Sequence, residues 1–257
     1  PGWHLECSTM GKRFLGEVFD IHTGGVDHIP IHHENEIAQA KGATGKIPAK
    51  IWMHCEYLLV DNGKMSKSLG NTYTISQLQE KGVEPLAFRL FCFTAHYRNK
   101  LNFTFEGAYG SQKALERLYE GYIKQQNGID EIDDSKIAEY NHKFNNFVND
   151  DMNMPGAMGI VWEVIKNPQK SHKLAELLLK FDEVLGLDLK NSKKYLEKFQ
   201  KSKTEDLPEE IKQLVEERKQ ARENKDWAKS DELRDLITSK GYSIKDTKDG
   251  IIVKKEI

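Results

Sequence analysis

A chain of 257 residues, 30% of them charged and 38% hydrophobic, carries a formal net charge of −2. That length can bury a sizeable core in one to three domains, and so even a balance excludes a globally basic nucleic-acid binder, leaving only local patches for RNA. Cys7, Cys55 and Cys92 are odd in number and far apart. They give no disulfide framework and point to a reducing, cytoplasmic compartment. The most apolar run, 86–93, is broken by Arg89 and is too short to span a membrane.

The first 75 residues hold six of the nine histidines, His4, His22, His28, His32, His33 and His54, among glycines and aromatics. The opening Pro1-Gly2-Trp3 is unlike an initiator region, so the chain is expected to be the downstream part of a longer protein. Val18-Phe19-Asp20-Ile21-His22 reads as a short strand ending in a tight turn at Thr23-Gly24-Gly25. After Pro30, the run from His33 to Ala40 reads as a helix whose first turn carries acids, favourable to the helix dipole. Ile51 to Val60 reads as one buried strand, closed by the turn Asp61-Asn62-Gly63. Strand, glycine turn, helix and strand form a βαβ alternation, which predicts a mostly parallel sheet with ligands outside the carboxyl ends of its strands.

Gly63-Lys64-Met65-Ser66-Lys67-Ser68-Leu69-Gly70-Asn71 follows. Two lysines three apart, with serines and flanking glycines, make a mobile cationic loop. Such a loop suits phosphate oxygens and developing negative charge. From Thr74 the pattern turns helical. Ile75, Leu78, Pro85, Leu86, Leu90 and Phe93 predict short helices. Stripes at Leu115, Leu118, Tyr119 and Tyr122, at Phe144, Phe147 and Val148, at Ile160, Val161 and Val164, and at Leu174, Leu177, Leu178, Phe181 and Val184 predict a helical bundle. Lys, Ser, Asn and Glu crowd the stretch before Pro208, which reads as a linker. Pro208 opens a last unit of two helices, with Gly241 at the end of the second. Ser243-Ile244-Lys245 and Ile251-Ile252-Val253 then flank Lys248-Asp249-Gly250 as a hairpin.

Cys7, His32, His33 and Glu36 form a candidate metal set. On a helix His32 and Glu36 are i,i+4 and His33 and Glu36 are i,i+3, so either pair can face one ion, and spacing does not choose between the histidines.

Four blocks carry a resemblance: Trp3-His4-Leu5-Glu6-Cys7-Ser8, then Phe19 to Asp27, then His32-His33-Glu34-Asn35-Glu36, then Lys64 to Ser68. In order and spacing the chain resembles the cysteinyl-tRNA synthetases, class I aminoacyl-tRNA synthetases, from the middle of their catalytic domain to the C-terminus. The resemblance implies an α/β Rossmann-like catalytic half, an α-helical bundle and a small α+β C-terminal domain. The divisions it suggests are 1–75, the second half of the catalytic domain; 76–190, stem contact and bundle; 191–206, a linker; and 207–257, an anticodon-binding domain. It implies a zinc ion held by Cys7, His32 and Glu36, with the family's other cysteine outside this chain. Also outside is the His-Ile-Gly-His-type signature that meets ATP, so this piece is expected to be inactive by itself. Trp3 and His22 would wall the amino-acid pocket. Gly24, Gly25 and Asp27 would approach the adenosine of ATP, taken with Mg2+. Lys64, Met65, Ser66, Lys67 and Ser68 would form the ATP loop, with Lys64 and Lys67 catalytic. Arg222, Trp227, Asp231 and Asp246 would read the anticodon, with Arg234 a weaker candidate. His96-Tyr97-Arg98 would help brace the RNA.

The implied activity is ATP-dependent activation of L-cysteine to the adenylate and transfer to tRNA(Cys), by a monomer with no membrane partner. Pro30-Ile31 before the histidine pair departs from the family, which has proline directly before it; a local backbone change is expected there. Two other readings are a cysteine ligase of thiol biosynthesis, against which the tail from Pro208 argues, and an RNA-binding module without catalysis.

Overall fold

The computed structural model describes residues 2–205, 208–247 and 250–255; among these, side chains are described except at 201–205, 245–247, 250–252, 254 and 255. The chain divides into two units, 1–187 and 188–257.

The first unit opens with α1 (Trp3–Leu15), stopped by Gly16 at φ 96°. Strand β1 (Phe19–Gly25) leads through a 3-10 turn (Val26–His28) and one π-helical turn (Ile29–His33) into α2 (Glu34–Thr44), and β2 (Ala49–Cys55) returns parallel to β1. A parallel pair needs a crossover, and α2 is that crossover. The register sets Ile21 against Ile51, His22 against Trp52 and Gly25 against Cys55. Neither glycine makes a turn. Both lie in β1, and the direction changes at Val26.

The apolar run from Ile51 to Val60 is two strands, not one. After β2 the chain breaks at Glu56-Tyr57, where the Glu56 amide donates to the Tyr97 carbonyl and the Tyr57 carbonyl accepts from Leu101. Strand β3 (Leu58–Val60) then joins a different sheet, between β4 (Gly63–Lys64) and β5 (Leu101–Phe103). It is parallel to β5 and antiparallel to β4. Nor is β2 fully buried, since Ile51 is 57% exposed. Asp61 and Asn62 close the β3–β4 hairpin with φ of 49° and 62°. Both central residues are left-handed, as a type I′ turn requires, and Asp and Asn tolerate that region best after glycine.

The β3 sheet packs into a core of Val60, Leu78, Val83, Phe91, Phe103 and Ala108. Helix α3 (Ile75–Glu80) starts in a capping box, Thr74 and Gln77 each bonding the other's backbone amide. Helix α4 (Pro85–Cys92) starts on its proline, whose missing N–H costs nothing in a first turn.

Four helices make the bundle: α5 (Phe105–Gln126), α6 (Asp134–Asn149), α7 (Met154–Lys166) and α8 (His172–Leu185). The predicted stripes supply its interior. Leu115, Leu118, Tyr119, Phe144, Val161, Val164, Leu174 and Leu178 are at most 1% exposed. Val184, read into the last stripe, is half exposed. Phe144 and Phe181 stack with centroids 4.0 Å apart. Gln125 is fully buried and satisfied at both ends, donating to the Val164 carbonyl at 3.0 Å and accepting from the Ser171 amide at 3.1 Å. Where the α5 end meets the α7–α8 loop, a side chain at Gly128 would fall onto the Lys170 carbonyl and the Ser171 amide. That backbone is pinned by the Ile129–Ser171 bridge, so it has little room to yield. Gly128→Ala is expected to cost about 3 kcal/mol, roughly 10 °C in Tm, by thermal denaturation; an unchanged Tm would show that the loop gives way.

In the second unit a 3-10 turn (Leu189–Asn191) leads into α9 (Ser192–Glu205). The stretch read as a linker is thus helical as far as Glu205; residue 206 lies outside the described residues. Its polar composition hides a spaced set of Tyr195, Leu196 and Phe199, of which Phe199 is buried. Asp188 also accepts hydrogen bonds from Asn191 and Tyr195. Helices α10 (Glu209–Glu223) and α11 (Trp227–Ser239) follow, then the antiparallel ribbon of β6 (Tyr242–Thr247) and β7 (Gly250–Lys255). Pro208 caps α10 from just outside its first turn, and Gly241 follows α11 at φ 80°. The hairpin turn at Lys248 and Asp249 lies outside the described residues. Arg218 is 2% exposed and donates from Nε to the Ser230 carbonyl at 3.2 Å. Among the described residues no helix is long and apolar enough to cross a membrane.

Candidate metal centre and phosphate loop

Three elements converge at the start of α2. Helix α1 packs on α2 and brings Cys7 to it; the π turn carries His32 and His33; the first turn of α2 carries Glu36. Glu36 is a carboxylate only 3% exposed, and a buried charge of this kind demands partners. It belongs to two groups whose ligand atoms all lie within 4.8 Å of one another: Cys7, His32 and Glu36, and His22, His33 and Glu36.

Distances separate the two groups. Tetrahedral zinc with bonds of about 2.0–2.1 Å holds its nitrogen and oxygen ligands about 3.4 Å apart. His32 Nε2 and Glu36 Oε1 are 3.5 Å apart, which fits an ion between them. His22 Nε2 and Glu36 Oε2 are 2.6 Å apart, a direct hydrogen bond with no room for an ion. One carboxylate oxygen therefore faces His32 while the other is held by His22, and Cys7 lies within reach of the same group. The donor set of thiolate, imidazole and carboxylate could hold a zinc-like ion. Burial first, then the Glu36 charge and hydrogen bond, push the Cys7 thiol above its ordinary range. A dication at this point acts the other way.

The π turn sets the two histidines in different surroundings. It presents His32 to Cys7 and rotates His33 inward, to 3% exposure, where His33 Nδ1 meets His54 Nε2 at 2.7 Å. Burial, then the neighbouring imidazoles of His22, His54, His28 and His32, hold His33 down at about 4. His54 is lowered too, by burial and then by His22 and His28. Two neutral rings can share one proton across that bond; two protonated rings could not.

A cavity of about 630 Å³ opens beside this cluster, lined by Cys7, His22, Glu36, Gln39 and Trp52 among others. Trp3 does not join it. It stands in the first turn of α1, 81% exposed, with nothing folded over it. The tryptophan at the cavity is Trp52, packed edge-on to His22 at 4.8 Å and against His33 at 5.0 Å. Sequence reading passed over Trp52 and His54. Their signal was period two: alternate residues of a strand paired with β1 share the face that His22 occupies.

Gly24 and Gly25 matter for close approach. A Cβ on Gly24 would come within 2.7 Å of His33 Cε1 and 2.8 Å of His28 Nδ1. A Cβ on Gly25 would strike the Asp27 carboxylate, which folds back over the strand end. Burial, then the hydrogen-bonded Asp27 carboxylate, push the Tyr57 phenol up.

The lysine loop does not leave from the carboxyl end of β3. The Asp61-Asn62 turn sits there, and β4 carries the chain back along β3 first. Ser66 then caps a 3-10 turn (Lys67–Leu69), accepting from the Leu69 amide at 3.3 Å, and Gly70 closes it at φ 65°. Met65, half-buried, packs its side chain on the Val60–Phe103 core. Lys64, Lys67 and Ser68 are exposed.

In the second unit the Arg222 guanidinium lies 5.5 Å from the Trp227 ring, which is 56% exposed. Asp231 pairs with Arg234 at 3.2 Å, one helical turn on. Asp246 stands opposite Ile251 in the ribbon, and its side chain lies outside the described residues. His96-Tyr97-Arg98 is stapled to the α6–α7 turn. Tyr97 donates to Asp151 Oδ1 at 2.6 Å and Arg98 Nε pairs with Asp151 Oδ2 at 2.7 Å, with Asp151 at φ 51°.

Residues 1–112 match the family described as tRNA synthetases class I (C) catalytic domain, and residues 204–253 match the Cysteinyl-tRNA ligase anticodon binding domain. The chain is 41% identical over 251 residues to Cysteine–tRNA ligase 1 of Burkholderia lata, across 97% of this chain and 51% of that protein. It is 38% identical over 272 aligned residues to the cysteine–tRNA ligase of Protochlamydia amoebophila, across 100% of this chain and 55% of that one. The chain thus spans about half the length of the curated relatives it matches. Among solved structures, the Agrobacterium radiobacter K84 agnB2 LeuRS–tRNA–LeuAMS ternary complex is similar in fold, with a TM-score of 0.52 and 19% identity over 69% of this chain and 27% of that one. With a class I catalytic segment at one end and a cysteinyl-type anticodon-binding segment at the other, the chain belongs to the cysteinyl-tRNA synthetase family of class I aminoacyl-tRNA synthetases.

Proposed function

We propose that this chain works as part of a cysteine–tRNA ligase, which activates L-cysteine with ATP and passes it to tRNA(Cys). The observation that carries the reading is the convergence of Cys7, His32 and Glu36 beside a cavity, with the second Glu36 oxygen held by His22. Zinc bound there would supply a soft Lewis acid that takes a substrate thiol as thiolate and so favours cysteine over serine. The fourth position would be open to a ligand from outside this chain or to the substrate. His22 fixes Glu36, and Trp52 keeps that side of the pocket dry. Gly24 and Gly25 bring the end of β1 to the adenosine, with His28, His33 and Asp27 packed close against their backbone, and Asp27 offers an acceptor to the ribose. Lys64 and Lys67 bind the departing phosphates of Mg2+-bound ATP, so that catalysis rests on positioning and charge stabilisation without a covalent enzyme intermediate. A cytoplasmic monomer is the setting that suits this chemistry.

In the tail, Arg222 and Trp227 offer a cation and a flat face to a splayed base, and Asp231 an acceptor to its edge. Because Asp231 is tied to Arg234, Asp231→Ala is expected to lower tRNA charging about tenfold while leaving pyrophosphate exchange intact. If both activities fall together, the tail is structural.

The test of the whole reading is cysteine-dependent ATP–pyrophosphate exchange and tRNA charging by the protein at its relatives' length. Exchange without charging would favour the thiol-biosynthesis reading; neither activity would favour an RNA-binding module.

A further inference from the structure

The lysine loop is held in shape by a side chain that the proposed mechanism does not use. Asn71 Oδ1 accepts from the Ser66 amide at 2.8 Å, and Asn71 Nδ2 donates to the Lys64 carbonyl at 3.0 Å. One amide group therefore bridges the two residues on either side of Met65, from the far end of the loop. Only asparagine suits both partners at this reach. Aspartate at neutral pH has acceptors alone, and serine is too short to span both. The opposite side of the loop is pinned by Met65, whose side chain packs on the core. Between the pins the 3-10 turn bonds internally: the Leu69 amide to Ser66, the Gly70 amide to Lys67, and the Ser66 and Ser68 hydroxyls to each other at 3.2 Å. Lys64, Lys67 and Ser68 are left on the exposed rim.

We propose that Asn71 is a positioning residue for the lysine loop, an amide clip that closes residues 64 to 71 into one preformed arc. A loop of this length in free exchange among conformers would have to be ordered each time a triphosphate binds, at a cost in backbone entropy for every residue fixed. The clip moves that ordering into folding, so the two ammonium groups are already spaced when charge develops. The consequence for turnover rests on the reading that the loop grips phosphates. The clip itself does not.

The experiment compares Asn71→Ala and Asn71→Asp with the parent chain. The first readout is amide hydrogen exchange at Ser66, with the α5 amides as a folding control; the second is the rate of tryptic cleavage after Lys64 and Lys67. Asn71→Ala should raise both about tenfold and leave α5 protection unchanged. Asn71→Asp keeps the acceptor for Ser66 but turns a carboxylate oxygen on the Lys64 carbonyl, so Ser66 should stay partly protected while cleavage after Lys64 rises. The third readout is pyrophosphate exchange in the protein at its relatives' length. Asn71→Ala should lower kcat about tenfold with the KM for cysteine unchanged, and Asn71→Asp should fall between. Unchanged Ser66 exchange and cleavage in Asn71→Ala would overturn the clip. Faster exchange with full turnover, where Lys67→Ala is impaired, would overturn the positioning role. If Lys67→Ala turns over normally, the phosphate reading falls, and the clip still stands or falls on the first two readouts.

Discussion

Glu36→Gln is expected to lower the affinity of the proposed site for zinc by about a hundredfold, and Cys7→Ser to do the same. Structural zinc in small peptides binds with about 10–16 kcal/mol, so one ligand of four is worth about 3 kcal/mol, or two decades in affinity. Glutamine keeps the shape of Glu36 and one acceptor for His22 while removing the charge, so the buried site is not emptied. Serine at position 7 offers an alcohol where the ion needs a thiolate. Competition with a chromophoric chelator measures the affinities. Cobalt substitution adds a fingerprint, since only a thiolate ligand gives an intense charge-transfer band. His32→Ala should weaken binding as far as Glu36→Gln does. His33→Ala should leave the cobalt spectrum intact, because its ring is turned to His54. Parent-like affinity in both Glu36→Gln and Cys7→Ser would sink the ligand assignment.

In the protein at its relatives' length, Lys67→Ala is expected to lower the rate of the proposed cysteine activation by about 10²–10³, with the KM for cysteine within about threefold of the parent. Removing one preorganised group that meets developing charge costs about that much in other enzymes. The loop makes Lys67 the better placed of the two lysines. It starts the 3-10 turn that Ser66 caps, whereas Lys64, in β4, is paired through its backbone with Leu59 of β3. Lys67→Arg should recover part of the loss, because the charge returns with a different shape. Pyrophosphate exchange at the relatives' full length gives both constants. A parent-like kcat in Lys67→Ala removes the lysine from the reaction.

Local chemistry was legible wherever one stretch of chain decides its own shape. The change to a helical pattern at Thr74 was legible, as were the turn at Asp61-Asn62-Gly63 and the buried faces of the bundle stripes. Composition misled where partners lie elsewhere. The 191–206 stretch looked like solvent-exposed linker because lysines outnumber its few apolar residues, yet three of those fall at helical spacing. Ile51 to Val60 looked continuous because both sheets want β-branched and aliphatic residues; the break is set by pairing with Tyr97 and Leu101.

The sequence by itself determined the ingredients: a His-Glu pair one helical turn apart, a glycine-bounded lysine loop, a βαβ order, a helical middle and a small two-helix and ribbon tail. Each follows from covalent spacing and backbone propensity, which act over a few residues. Only the tertiary structure decided which ingredients meet. It brought Cys7 to Glu36 by packing α1 on α2, gave His32 and not His33 to that pair through the π turn, and left Trp3 outside while setting Trp52 against His22. Those choices depend on contacts between segments distant in the chain, where a turn of one residue or a strand register redirects a side chain by a whole face.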